Sequence, residues 1–166
     1  MLQLISIVMV IYSYFLIRMN LPHLPRLIPT HYNAGGVADG WGSPETLWVL
    51  LVAQALTSGV FLLGPYLGMR NPASVHVGSR RLSDFPPAQR ARVLAKLNDL
   101  AGYLSLVMNV FFVYMLRQVI HEATQAQPHL NMFLPLAFLL AGTVGVGWYF
   151  LRQFRRASGG ADEEED

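Results

Sequence analysis

Leu21-Pro22-His23-Leu24-Pro25-Arg26-Leu27-Ile28-Pro29-Thr30-His31-Tyr32-Asn33-Ala34-Gly35-Gly36-Val37-Ala38-Asp39-Gly40-Trp41-Gly42-Ser43 separates the first two apolar runs of this chain, and it is neither a run of apolar residues nor a charged face. Pro22, Pro25 and Pro29 each restrict φ and remove a backbone donor, which predicts an extended arm rather than a helix. Residues 28–33 then alternate between apolar and polar side chains. Gly35-Gly36 and Asp39-Gly40 tolerate positive φ and predict a tight turn or small hairpin, then a second tight turn. Ser43-Pro44-Glu45 reads as a helix start, with Ser43 as N-cap, Pro44 in the first turn and Glu45 facing the positive end of the dipole.

Working outward, the flanks are long and apolar. Of the 166 residues, 53% are hydrophobic and 13% are charged, against roughly 25% charged in soluble proteins. That deficit marks a chain whose solvent is lipid. There is no cysteine, which excludes disulfides, thiolate metal sites and thiol catalysis. The formal charge of +2 includes an acidic terminus, Asp162 to Asp166, so the remainder is distinctly basic. The basic residues flank apolar runs and read as topology signals, not as a nucleic-acid footprint.

Four spans are expected, at about 2–18, 46–69, 99–120 and 130–151, in one membrane domain over residues 1–156. The fold class is therefore all-α, a polytopic helical bundle with a structured first loop at 21–43. The first span has no basic n-region and no small-residue cleavage site, so it reads as an uncleaved anchor. In the second, Pro65 predicts a kink. Residues 86–98 read as an amphipathic surface helix, with Arg90, Arg92 and Lys96 on polar positions. No strong breaker separates it from the third span, so the two can form one long helix. Within the third span, Asn109 is a mid-membrane amide, costly unless it pairs with another helix. Ala141 and Gly145 in the fourth span follow small-xxx-small spacing, which lets helices approach closely. Residues 157–166 read as a disordered acidic tail.

With four spans, Arg70, Arg80, Arg81, Arg90, Arg92, Lys96, Arg152, Arg155 and Arg156 fall on one side, and Arg18, Arg26 and Arg117 on the other. The positive-inside rule then places both termini and the middle loop in the cytoplasm of a cell (plasma or inner) membrane, and turns the 21–43 loop outward.

The outward side also collects His23, His31, His121, His129, Asp39, Glu45 and Glu122. In one reading, His31, Asn33 and Asp39 hold the loop together through Asx-turns and a His–Asp bridge. In another, the loop folds over the third span and His31 and Asp39 meet His121 and Glu122 as metal ligands. No closely spaced ligand signature favours the second. Arg80, Arg81, Arg90, Arg92 and Lys96 either anchor the topology or bind anionic lipid head groups. No Walker A loop, nucleophile elbow or zinc-helix motif is present, and no catalytic residue or cofactor is expected. A bundle of this size is expected to leave little room for a pocket.

The pattern carried by Leu24, Pro25, Ile28, Pro29, Thr30, His31, Tyr32, Asn33, Gly36, Asp39, Gly40, Trp41, Gly42 and Ser43 resembles the signature of the membrane family known as domain of unknown function 1648. That domain also forms the amino-terminal part of SdpI-type toxin-immunity proteins. Asn71-Pro72 and the run Pro86-Pro87-Ala88-Gln89-Arg90-Ala91-Arg92 are similar to the rest of the stand-alone four-helix members, so the resemblance extends to about Arg156. It implies a four-helix membrane protein in which Pro25, Pro29, His31, Asn33, Gly36, Asp39, Gly40, Trp41 and Gly42 form a structural or binding loop. Three roles are compatible with these residues. The first is a non-catalytic accessory, interaction or immunity-like protein with a membrane-protein partner. The others are a small homo-oligomeric transporter or ion-binding protein, and a cofactor-holding subunit of a larger complex.

Overall fold

The computed structural model describes residues 2–77 and 79–159. Four helices form the bundle: α1 (Leu2–Asn20), α2 (Leu47–Arg70), α3 (Pro87–Glu122) and α4 (Phe133–Gly159). Each contains a window long and apolar enough to cross a membrane, so the chain is a polytopic all-α membrane bundle. The first and second helices lie close to their expected bounds. The amphipathic segment and the third span are indeed one helix of 36 residues, because nothing between them interrupts the backbone ladder. α2 remains helical through Pro65 as far as Arg70.

The start of α4 differs from the expected 130. Residues 128–130 are held by the hairpin described below, and Asn131 then caps the helix. Its Oδ1 accepts from the Phe133 and Leu134 amides at 3.1 and 3.5 Å, the donors a helix start leaves unpaired. α4 also continues through residues 157–159, beyond the expected end of the span. The rest of the acidic tail lies outside the described residues.

α3 is the hub. It packs along α1, α2 and α4, and α1 also packs on α2, while α4 rests chiefly on α3. A polar chain ties the first three together. The Gln54 Nε2 donates to Asn109 Oδ1 at 2.8 Å, and the Asn109 Nδ2 donates to Ser58 Oγ and to the Ser105 carbonyl, both at 2.9 Å. Ser105 Oγ donates to Ser6 Oγ at 2.9 Å. Asn109 is thus the interhelical link its position demanded, since an unpaired amide in hydrocarbon is costly. Of the fourth-span small residues, Gly142 is the one at the seam, where an added Cβ would press on Val107; one added at Gly145 would meet nothing within 4 Å.

The apolar core gathers at one end, where Ile17, Leu47, Leu116, Val119 and Ala123 surround Ile28 of the first loop. At the opposite, Arg-rich end, β3 (His76–Val77) pairs with β4 (Arg80–Arg81) in a two-residue ribbon, where a loop was expected. Arg90 and Lys96 are committed there rather than projecting freely. The Arg90 Nη2 donates to the Ser83 and Phe85 carbonyls at 2.8 and 3.3 Å, and the Lys96 Nζ donates to the Gln153 carbonyl of α4 at 3.2 Å. Arg81 and Arg92 are exposed.

Candidate functional site: a capped groove at one end of the bundle

The first loop folds as a hairpin. β1 (Ile28–Tyr32) pairs antiparallel with β2 (Ala38–Gly42), with Pro29 opposite Trp41, His31 opposite Gly40, and irregular register at both sides of His31. The expected extended arm is shorter than its prolines imply, because Pro22 lies in a 3₁₀ turn over Leu21–His23 that continues α1. Pro22 is the second residue of that turn, and proline is tolerated in the first turn of a helix. Ser43 likewise caps a 3₁₀ turn, Pro44–Thr46, which passes into α2.

Asn33 makes the hairpin turn. Its Oδ1 accepts from the Gly35 and Val37 amides at 2.9 and 3.1 Å, the Asx arrangement that mimics a backbone turn. Gly36 adopts φ +80°, and an added Cβ would run into the Leu130 carbonyl oxygen. Asp39-Gly40 is not the second turn. It lies inside β2, and Gly40 is needed because a Cβ there would lie 2.8 Å from the His31 Cβ. Glycine serves cross-strand approach here, not positive φ.

Asp39 bonds across the hairpin to His31, Oδ1 to Nδ1 at 2.5 Å. Both side chains are exposed, at 73% and 44% for His31 and Asp39, so the pair braces the strand surface without a buried charge.

The hairpin is fastened to the connection between α3 and α4. Val37 bridges His129; the Leu130 amide donates to the Gly36 carbonyl at 2.8 Å and the Ala38 amide to the Pro128 carbonyl at 3.4 Å. Glu122, at the end of α3, accepts from the His129 amide at 2.9 Å. The loop therefore does fold over the third span, but backbone groups make the junction. His31 and Asp39 form one pair, Glu122 serves the connection, and His121 is exposed. Among the described residues no three His, Asp or Glu side chains gather as a metal set.

Below this cap lies a groove of about 720 Å³, which overturns the expectation of little room for a pocket. Its roof is β1 and the turn, its walls are the beginnings of α2 and α4, and its floor is Met115 and Val119 of α3. α4 rests chiefly on α3, and the groove lies between the starts of α2 and α4. Val49 and Leu136, on the two walls, are 67% and 49% exposed, so the mouth opens sideways between two spans. Tyr32 lines the groove. Its hydroxyl is buried without a hydrogen-bond partner among the described residues. Burial, then the nearby Glu122 carboxylate, pushes its pKa up to about 12, so the hydroxyl keeps its proton at ordinary pH. Sequence reasoning passed over Tyr32. Its inward placement in a strand next to His31 and Asn33 was the available signal.

The family model described as a domain of unknown function, DUF1648, matches residues 4–55. The chain is also similar to an uncharacterized protein of Archaeoglobus fulgidus, 23% identical over 134 residues that cover 77% of this chain and 73% of that protein. No solved structure matches it. The matched segment runs from α1 through the hairpin into α2, so it is this part of the membrane bundle that is similar to the DUF1648 family.

Proposed function

We propose that this chain is a non-catalytic accessory protein of the cell membrane, with both termini in the cytoplasm and the hairpin facing outward, where it recognises a partner membrane protein. The observation that carries this reading is the hairpin's own surface. Leu27, Val37 and Trp41 are 60%, 51% and 53% exposed on an element fixed by backbone bonds to the α3–α4 connection. Exposed apolar side chains on a water-facing cap mark candidate interaction sites. Trp is enriched among residues that dominate interfaces. The charge asymmetry between the two ends supports the orientation. In the immunity-like form of this reading, the partner is an envelope-active toxin.

The test uses a photo-crosslinking residue at position 37 in intact cells, followed by mild-detergent purification. One discrete heteromeric adduct is expected, lost when Trp41 is changed to Ser. A chain that stays monomeric and unlinked sinks the reading. The absence of native cysteine allows a clean check of orientation. An impermeant thiol reagent should reach Ala34→Cys and not Ser79→Cys; the reverse result would require the cap to face the cytoplasm.

A further inference from the structure

We propose that Arg117 and Tyr12 bind the phosphodiester of one phospholipid from the leaflet on the hairpin side, with an acyl chain of that lipid lying along α1 and α3 beneath them. This goes beyond the partner reading and does not rest on it, since the site is on the membrane-facing flank of the bundle and not on the hairpin.

Depth sets Arg117 apart. It is the only charged residue from Leu100 to Ile120, inside a helix long and apolar enough to cross a membrane. At 1.5 Å per residue it lies about 4.5 Å short of Ile120. A helical side chain leans toward the N-terminus of its helix, which from Arg117 is toward the middle of the span. The Arg117 Nη1 donates to Tyr12 Oη at 3.4 Å. Tyr12 itself stands about 12 Å before Asn20, the last residue of α1. The guanidinium is therefore held below the hairpin-side ends of both helices. A charge at that depth is costly unless an anion meets it. No carboxylate among the described residues pairs with Arg117. Glu122, at the same end of α3, instead accepts from the His129 amide.

Exposure and geometry name the anion. α1 packs on α2 and α3, and α4 chiefly on α3, which leaves a strip of α3 open between α1 and α4. Arg117 is exposed on that strip and bonds to α1, while Tyr103, lower on the same strip, meets Phe150 of α4 with ring centroids 6.0 Å apart. The strip faces lipid. A guanidinium presents paired donors that match a phosphate bidentately. Tyr12 supplies one more donor, because its oxygen accepts from Arg117 and its own proton is left to give. A phosphodiester has acceptor oxygens for all of them and already lies in the head-group layer above. A carboxylate on a neighbouring helix would bring a second charge down into hydrocarbon, at a further desolvation cost.

The chain continues the fit. Val8 and Ile5 descend from Tyr12 on one face of α1, and Val113 and Val110 descend from Arg117 on one face of α3, at the spacing that stacks helical side chains. Val8 and Ile5 are 62% and 39% exposed, so these two adjoining apolar stripes are open to an acyl chain running toward the middle of the membrane.

The protein is reconstituted with equal amounts of phosphatidylglycerol and of diacylglycerol with the same acyl chains, extracted in mild detergent, and weighed with its retained lipid by native mass spectrometry. One phosphatidylglycerol per chain should be retained, at least about fivefold in preference to diacylglycerol, since bonds to a charged partner are the strong ones. Arg117→Gln should abolish the preference, Tyr12→Phe should weaken it, and Arg26→Gln, on the hairpin loop, should leave it unchanged. Should Arg117→Gln fail to fold, Arg117→Lys, which keeps the charge and loses the fork, should lower the preference severalfold. Phosphatidylglycerol carrying a diazirine in its acyl chain should label the peptides containing Val8 and Val113, and lose both adducts in the Arg117 variant. Equal retention of the two lipids, or a preference that survives substitution of Arg117, overturns the site. A heteromeric partner lost with Arg117→Gln while lipid retention stays constant also overturns it, and assigns the guanidinium to a neighbouring helix.

Discussion

The two ends of the buried interior differ in kind. Where the hairpin sits, Ile17, Ile28, Leu47 and Leu116 are at most 1% exposed and pack as an apolar core. Along the spans, the buried polar side chains are Ser6, Gln54, Ser105 and Asn109, joined by hydrogen bonds, and Ser13, whose hydroxyl has no partner among the described residues, while Val8, Leu56 and Val60 lie 62%, 67% and 69% exposed. The difference follows from the surroundings. At the hairpin end an apolar side chain escapes water by packing, worth roughly 1.5–3 kcal/mol when fully buried. Between the spans the alternative to burial is lipid, as apolar as leucine, so packing one leucine against another gains little. Polar groups have no such alternative and gain by finding one another, as Ser6, Gln54, Ser105 and Asn109 do. The bundle is therefore held by the hydrophobic effect at its capped end and by amides and hydroxyls within.

That contrast can be broken at either end. The largest effect should come from Ile28→Ala, which empties a fully buried position of the apolar core. A loss of about 2–4 kcal/mol is expected, read from reversible unfolding in mixed micelles, with increased proteolysis in the 21–43 loop. A loss below about 1 kcal/mol would mean that this end does not depend on apolar packing.

Asn109→Leu should have a smaller effect. It removes the acceptor for Gln54 and the donor to Ser58, and interhelical bonds of this type average about 0.6 kcal/mol with a maximum near 1.7. A loss of about 1–2 kcal/mol is expected, much of it recovered in the double variant Gln54→Leu, Asn109→Leu, since replacing both partners leaves no stranded amide. Additive losses in that double variant would deny the network its coupling.

The smallest effect belongs to His31→Gln. The His31–Asp39 pair is solvent-exposed and should contribute less than about 1 kcal/mol. The same unfolding measurement checks it; a loss as large as that of Ile28→Ala would reveal a role the exposed geometry does not supply.

Much of this was legible beforehand. Residue composition and the four apolar runs announced the spans, and Asn109 announced a helix-to-helix bond, because an amide in hydrocarbon has few other outcomes. The Gly35-Gly36 turn was legible too, through local backbone preference. Asp39-Gly40 was misread for a related reason. The dipeptide tolerates positive φ, but whether a glycine serves φ or a close neighbour depends on what stands across the strand, here His31. The fate of Arg90 and Lys96 was equally hidden. A basic residue near a membrane reads as a topology anchor or a head-group ligand, and only the fold shows which backbone carbonyl it also bonds. The groove was the least legible feature, since its lining comes from the hairpin and three helices far apart in the chain.

The amino-acid order by itself determined that the chain threads a bilayer, how many times, and that a proline- and glycine-rich segment closes one end. These are local properties: hydropathy over a span, allowed φ at a turn, charge beside a helix end. Tertiary structure alone decided that the hairpin would bond to the Pro128–Leu130 backbone, that α4 would lean on α3 and leave a groove beside α2, and that Tyr32 would turn its hydroxyl inward without a partner. Those outcomes depend on which surfaces meet, and backbone carbonyls and amides, identical at nearly every residue, carry no mark in the sequence of whom they will bind.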